Sequence, residues 1–289
     1  MENLSNISVV KALMERHGVS FSKTLGQNFL INPSVCPKIA ELGGAQKGFG
    51  ILEIGAGVGV LTVELARRAD KVVCIEIDTR LMPVLKETLA EFDNVGIIHG
   101  DVLKTDLRRV IAEEFAGLSV AVCANLPYYI TSPVIMSLLE AKLPIESITV
   151  MVQKEAAARI CAPEGSRESG AISVAVRYYS EPKVLFQVSR GSFLPAPDVD
   201  SSVIRLEVRK QPPYPVKDEK VLFALIKAAF SQRRKTLVNA AGASLAVGGR
   251  SVSKSEVAAA LEKAGVPVTA RAEQLTLAQF CVLAGLLAE

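Results

Sequence analysis

The chain is poor in metal-binding and cross-linking residues. Two histidines, His17 and His99, and five cysteines, Cys36, Cys74, Cys123, Cys161 and Cys281, are all it has. An odd set of widely spaced cysteines, most of them inside apolar runs, excludes a disulfide framework and reads as reduced core thiols. Two imidazoles leave no ligand set of zinc-site spacing, so no metal centre is expected. Long apolar runs are also missing: Cys281–Ala288 has eight residues and cannot span a bilayer. The first twenty residues carry Glu2, Lys11, Glu15, Arg16 and His17 and lack the apolar stretch of a secretory signal, so a cytoplasmic protein without a membrane anchor is expected. Acidic residues are absent from Lys220 to Ser255, where seven basic residues stand. That asymmetry suits a polyanionic partner, and a solvated face has the same composition.

What remains is a chain of 289 residues, 49% apolar, without repeats or low-complexity blocks. It is long enough for one large core and a smaller second unit. An amphipathic segment, Ile7–His17, is followed by a loop and by a helix to about Leu42, for which Asn32 suits the cap and Pro33 the first turn. From Gly50 onward β-branched runs alternate with helical periodicity. Strands are predicted over Ile51–Ile54, Val72–Ile77, Val95–His99, Leu118–Ala124 and Ser147–Val152, with Lys183–Val188 and Ser202–Val208 as edge strands. That alternation implies βαβ units around a parallel sheet covered on both faces. The proline-rich run QPPYPV (Gln211–Val216) reads as a linker, and helices follow at about Asp218–Phe230, Lys235–Ala243, Lys254–Lys263 and Thr276–Leu287. The expected organisation is an α/β domain over residues 1–210 and a small helical domain over 211–289.

The first strand runs into EIGAGVGVLT (Glu53–Thr62), with Gly55, Gly57 and Gly59 at the turn from strand to helix. Glycines there allow positive φ and close approach of a ligand to the backbone. A dinucleotide fingerprint needs a third glycine where Val60 stands, which counts against a nicotinamide dehydrogenase. Glu76 ends the second strand about 20 residues after Gly55, where a carboxylate accepts from both hydroxyls of a ribose. Asp101, in HGD at the end of the third strand, can accept from an adenine amino group. A glycine turn followed by two such acids suits an adenosine-bearing ligand without a pyrophosphate.

These residues carry a resemblance. EIGAGVGVLT, the acidic end of CIEID, and GDVL are similar to the S-adenosylmethionine motifs of Rossmann-like methyltransferases. NLPYYI (Asn125–Ile130) resembles the signature of those that methylate exocyclic amino groups. LGQNFL (Leu25–Leu30), MVQKEAAARI (Met151–Ile160) and FLPAPDVDSSVIRL (Phe193–Leu206) resemble segments of the ribosomal RNA adenine dimethyltransferases. FSQRRKTLVNA (Phe230–Ala240) is similar to the C-terminal domain of the KsgA/RsmA-type small-subunit branch. The resemblance implies a Rossmann-like methyltransferase domain with a small C-terminal α-helical domain. It implies a monomer that uses S-adenosylmethionine, releases S-adenosylhomocysteine, and dimethylates two adjacent adenosines near the 3′ end of 16S ribosomal RNA in a small-subunit precursor.

For the site, Asn125 and the Leu126 carbonyl are expected to accept from the target amino group, with Pro127 stiffening the loop. Tyr128 is expected to stack on the base and Phe193 to form a second wall. Tyr129 is expected in the core, because the motif's functional position directly follows the proline. The resemblance implies that Gln27, Asn28 and Leu30 close over the methionine end of the donor, beside Gly55, Gly57, Glu76, Asp101 and Asn125. Lys154, Arg159, Arg167, Arg233, Arg234 and Lys235 are expected at RNA phosphates, the last three in or near the first turn of a helix capped by Ser231. Two alternatives stay open: a large-subunit ribosomal RNA methyltransferase conferring antibiotic resistance, and a ribosome-assembly factor whose main role is not enzymatic.

Overall fold

The computed structural model describes residues 4–19 and 28–288. Seven strands form the main sheet: β1 Phe49–Ile54, β2 Lys71–Glu76, β3 Val95–His99, β4 Ser119–Asn125, β5 Ser147–Gln153, β6 Ser180–Val188 and β7 Ser201–Val208. Their order across the sheet is β3-β2-β1-β4-β5-β7-β6. The pairings from β3 to β5 are parallel and β7 runs antiparallel to β5. Within β1, β2, β4 and β5 nearly every side chain is buried, whichever way it points. Such strands must be covered on both faces, which is why they read as continuous apolar runs rather than as alternation.

Helices α1 Ile7–Arg16, α2 Val35–Leu42, α3 Val60–Ala66, α4 Met82–Thr88, α5 Leu107–Glu114 and α6 Thr131–Glu140 precede or connect these strands. Ile39 and Ala40 of α2 and Leu61 and Leu65 of α3 share one core with Ile51, Val72, Ala121 and Met151. Leu13 and Met14 of α1 pack with Val84 and Leu85 of α4. Asn32 does not cap α2. Its Oδ1 accepts from the Ser34 amide at 3.1 Å and the Ser34 hydroxyl at 2.8 Å, so Pro33 sits in a turn and the helix starts two residues later than its sequence suggests.

Contacts group the chain into two compact units, Met1–Ala157 with Lys183–Val208, and Ala158–Pro182 with Arg209–Glu289. The second unit holds α9 Glu219–Ala229, α10 Leu237–Ser244, α11 Lys254–Lys263 and α12 Leu277–Leu287. It also takes in 158–182, which the sequence reading assigned to the first domain. The cause is side-chain chemistry in α8 Ala171–Tyr179: the Tyr179 ring stacks on Phe223 with centroids 5.4 Å apart, and the Tyr178 hydroxyl donates to Glu219 at 3.1 Å.

The Ser231 cap is also corrected. Ser231 donates its hydroxyl to the Ala228 carbonyl at 2.7 Å at the end of α9, and Thr236 caps α10 by accepting from the Asn239 amide. Arg233, Arg234 and Lys235 therefore lie in the exposed turn between two helices, just before the cap.

Candidate active site

Parallel register aligns the carboxyl ends of β3, β2, β1 and β4. Glu76 pairs with His99, Ile54 with both Ile75 and Ala124, and Asn125 with Met151. The chain leaves β1 toward β2 on one side and later returns to β4 on the other, which makes the gap above β1 the topological switch point where open sheets bind ligands. A cavity of about 320 Å³ opens there.

Its floor is the glycine turn, with φ of 77° at Gly55, 61° at Gly57 and 90° at Gly59. A Cβ on Gly57 would also stand 3.3 Å from the Phe29 ring. The positive φ therefore favours glycine at that position, and a side chain there would also press on the Phe29 ring. The Glu76 carboxylate is held by two backbone amides, Gly57 N–H to Oε2 at 2.8 Å and Asp78 N–H to Oε1 at 3.0 Å. Burial raises its pKa, and those two hydrogen bonds oppose the rise. Asp101 lies two residues past the end of β3, accepts from the Leu103 amide at 3.0 Å and lines the same cavity. Ile77 and Leu103, 53% and 45% exposed, put apolar surface beside the two acids.

On the β4 side Asn125 is the last strand residue, and its side-chain amide makes no hydrogen bond among the described residues. It caps no helix: a 3-10 turn, Tyr128–Ile130, intervenes, and α6 follows without a side-chain cap. Leu126 is buried, and Pro127 holds φ at −55° at the head of that turn. Tyr128 is half-buried, with its hydroxyl 2.8 Å from the Ser201 hydroxyl, and burial raises its pKa. Phe193 is buried in the lining, in a two-strand pairing opposite Leu30. Asn28 and Leu30 line the adjoining wall, while Gln27 lies outside the described residues. Tyr129 is not a core residue. It is 64% exposed at the cavity mouth, in a 3-10 turn none of whose residues is buried.

Lys154 and Arg159 are exposed on α7 Lys154–Ile160, Lys154 in the first unit and Arg159 in the second. Arg167 belongs to the second unit, where its carbonyl accepts from Arg233 Nη2 at 2.8 Å. Among the described residues none of Arg233, Arg234 and Lys235 pairs with a carboxylate.

One site residue had no role in the sequence reading. Glu53, in the middle of an apolar strand, is 1% exposed, lines the cavity, and its Oε2 has no hydrogen-bond partner. Burial pushes its pKa up to about 8, the nearby Thr62 hydroxyl opposes the rise without making a hydrogen bond of good geometry to Oε2, and the Glu76 charge adds to it. An acid inside ILEI was the available signal, since a buried carboxyl needs a partner. With the ordinary value at 4.5, the unfolded chain holds fewer protons than the folded one between pH 4.5 and about 8, so Glu53 lowers stability progressively as pH rises through that window. Glu53→Gln should match wild type in thermal melting at pH 4 and exceed it by about 2 to 4 kcal/mol at pH 8.5. Parallel melting curves with a constant gap would show that Glu53 does not titrate there.

The sheet order, the glycine turn and the acids at successive strand ends define a Rossmann-like methyltransferase. Solved structures agree. A dimethyladenosine transferase from Plasmodium falciparum superposes with a TM-score of 0.72 at 26% identity, covering 88% of this chain and 95% of that one. The 23S rRNA methyltransferase ErmE superposes at 0.68 with 27% identity, covering 91% and 100%. The family model for ribosomal RNA adenine dimethylase matches residues 18–288, and the chain belongs to that family. Relatives named ribosomal RNA small subunit methyltransferase A are 49% identical in Geobacillus thermodenitrificans, over 96% of this chain and 94% of theirs, and 44% identical in Alkaliphilus oremlandii, over 100% and 99%. No helix among the described residues is long and apolar enough to cross a membrane.

Proposed function

We propose that this protein dimethylates the N6 amino groups of two adjacent adenosines in the 3′-terminal hairpin of 16S ribosomal RNA, acting as a monomer on a small-subunit precursor with S-adenosylmethionine as donor. The observation that carries the reading is the unpartnered Asn125 amide at the strand end, facing the cavity that Glu76 and Asp101 also line.

The residues present fit the donor. Glu76, oriented by two amides, suits ribose hydroxyls, and Asp101 suits an adenine amino group between the apolar surfaces of Ile77 and Leu103. Gly55 and Gly57 admit close approach, and Gln27, Asn28 and Leu30 are assigned to the methionine end. The orphaned, buried Oε2 of Glu53 favours a ligand that brings positive charge. When bound, S-adenosylmethionine supplies an electrophilic methyl group on a sulfonium sulfur.

An adenine amino nitrogen is a weak nucleophile because its lone pair is delocalised into the ring. Acceptors on its two protons favour the tetrahedral geometry in which that pair is free. The Asn125 side-chain oxygen and the Leu126 carbonyl have this role, and Pro127 fixes the turn that carries them. Tyr128 and Phe193 hold the flat base in line with the methyl carbon. Pinning the Tyr128 hydroxyl to Ser201 sets its ring before substrate arrives. No strong general base is needed, because the extra proton on nitrogen is acidic after attack and leaves to water. Lys154, Arg159, Arg167, Arg233, Arg234 and Lys235 are assigned to phosphates.

The reading on large-subunit RNA is weaker. The ErmE likeness rests on 27% identity, whereas relatives at 44–49% carry small-subunit names. Offering unmethylated small-subunit and large-subunit RNA in one competition assay tests the choice, and methyl incorporation confined to large-subunit RNA would reverse it. For the donor site, Glu76→Ala should weaken S-adenosylmethionine binding by about 1.5 to 3 kcal/mol, the worth of hydrogen bonds to a charged group. Unchanged affinity by calorimetry in a folded variant would remove Glu76 from the site.

A further inference from the structure

Tyr129 stands in a position that packing does not explain. Among the described residues it is the most exposed of the large apolar side chains, at 64%, yet it lines the mouth of a cavity whose other aromatic residues are half-buried, as Tyr128 is, or buried, as Phe29 and Phe193 are. Among the described residues its hydroxyl has no hydrogen-bond partner and its ring no ring partner. The backbone beneath it is fixed, since the Ile130 amide donates to the Pro127 carbonyl at 3.1 Å and α6 begins directly afterwards. A rigid turn thus holds a flat, wet ring at the rim, one residue from the ring that faces the inside. Exposure of a single aromatic is ordinary by itself; its place at the rim of the cavity, next to the ring assigned to the target base, is what makes Tyr129 available to a second flat group.

A base can enter the cavity only by leaving its stack, and that leaves the adjoining base with one bare face. Aromatic side chains at the edge of a nucleotide pocket can replace the lost stacking without regard to base identity. We infer that Tyr129 is the stacking platform for the nucleobase adjoining the one held between Tyr128 and Phe193, a second base subsite outside the pocket. The inference rests on the proposed RNA methylation. It assigns Tyr129 to binding and presentation of the strand, and no part in the reacting atoms.

The test uses the full chain and a hairpin RNA of the small subunit, with Tyr129→Ala, Tyr129→Leu and Tyr129→Phe compared in equilibrium RNA binding, methylation and donor calorimetry. Stacking of one base on one ring corresponds to about 5- to 150-fold in affinity. Tyr129→Ala and Tyr129→Leu should lose RNA affinity within that range, and Tyr129→Phe should stay within about two-fold of wild type. S-adenosylmethionine affinity should be unchanged in all three, because Tyr129 follows β4, which lies on the other side of β1 from the strands that lead to Glu76 and Asp101.

The deciding arm repeats the comparison on RNAs with an abasic nucleotide on the 5′ or the 3′ side of the target. On one of the two, the difference between wild type and Tyr129→Ala should vanish, as a pairwise coupling requires. A Tyr129→Ala protein that binds intact RNA as wild type does overturns the inference. So does a loss that stays the same with either neighbour abasic. Wild-type methylation of unmethylated small subunits is the control: if it is absent, the proposed function fails and this inference with it, whereas wild-type activity there with no Tyr129 effect refutes the platform alone.

Discussion

Replacing Asn125 with alanine should lower the single-turnover methylation rate at saturating RNA and donor by about 10²- to 10³-fold, the size of effect seen when one preorganised polar group is removed from a reaction centre. RNA affinity should stay within about three-fold of wild type, because the interaction strengthens only as the amino nitrogen becomes tetrahedral. The structure supports this split. Asn125 sits at the end of β4 with no hydrogen bond of its own, so its loss leaves no protein group unpaired and removes no cap. Thermal stability should therefore change little. Asn125→Asp is a second probe, since it keeps an acceptor but adds charge to a cavity that Glu53 and Glu76 also line. Intact single-turnover methylation in Asn125→Ala, with weakened RNA binding instead, would make Asn125 a binding residue only.

The second large effect concerns Arg233, Arg234 and Lys235. All three are exposed in the turn between α9 and α10, and their stretch of chain carries no acid from Lys220 to Ser255. Thr236, not Ser231, caps α10, so the three cations precede the helix rather than occupy its first turn. The dipole of α10 therefore disfavours them less than the sequence suggested, and the case for phosphate contact rests on exposure and the missing counter-charges. Replacing all three with alanine should flatten the slope of log affinity against log salt by about 2 to 3 units, because each phosphate contact releases close to one counterion. Donor binding should not change, since the cavity is built entirely from the other unit. A folded triple variant with the wild-type salt slope would return the turn to ordinary solvated surface.

Much of the architecture could be read from sequence because the strands of a buried parallel sheet announce themselves as β-branched runs. Ser147–Gln153 and Lys71–Glu76 fall within a residue of expectation for this reason. Glu76 and Asp101 were legible through their place at strand ends after a glycine turn. Other features depend on tertiary contact. Segment 158–182 follows the second unit because Tyr178 and Tyr179 find Phe223 and Glu219, partners distant in sequence. Asn32 and Pro33 looked like a helix start, and the Ser34 hydroxyl captured the Asn32 oxygen instead. Glu53 inside ILEI signals a buried carboxyl that needs a partner, but the sequence does not say that the partner is a cavity rather than another side chain. Tyr129 was misplaced because reading by motif position carries no information on exposure.

The proposed role of the cavity at the ends of β1, β2 and β4 is to transfer methyl groups to adjacent adenines of small-subunit RNA. The most direct measurement is to incubate the protein with isotopically labelled S-adenosylmethionine and unmethylated small subunits, then digest the RNA and map the label by mass spectrometry. The expected product is N6,N6-dimethyladenosine at two neighbouring positions in the 3′-terminal hairpin of 16S ribosomal RNA, and none with Asn125→Ala over the same interval. Label on another nucleobase, on ribose, or outside that hairpin would contradict it.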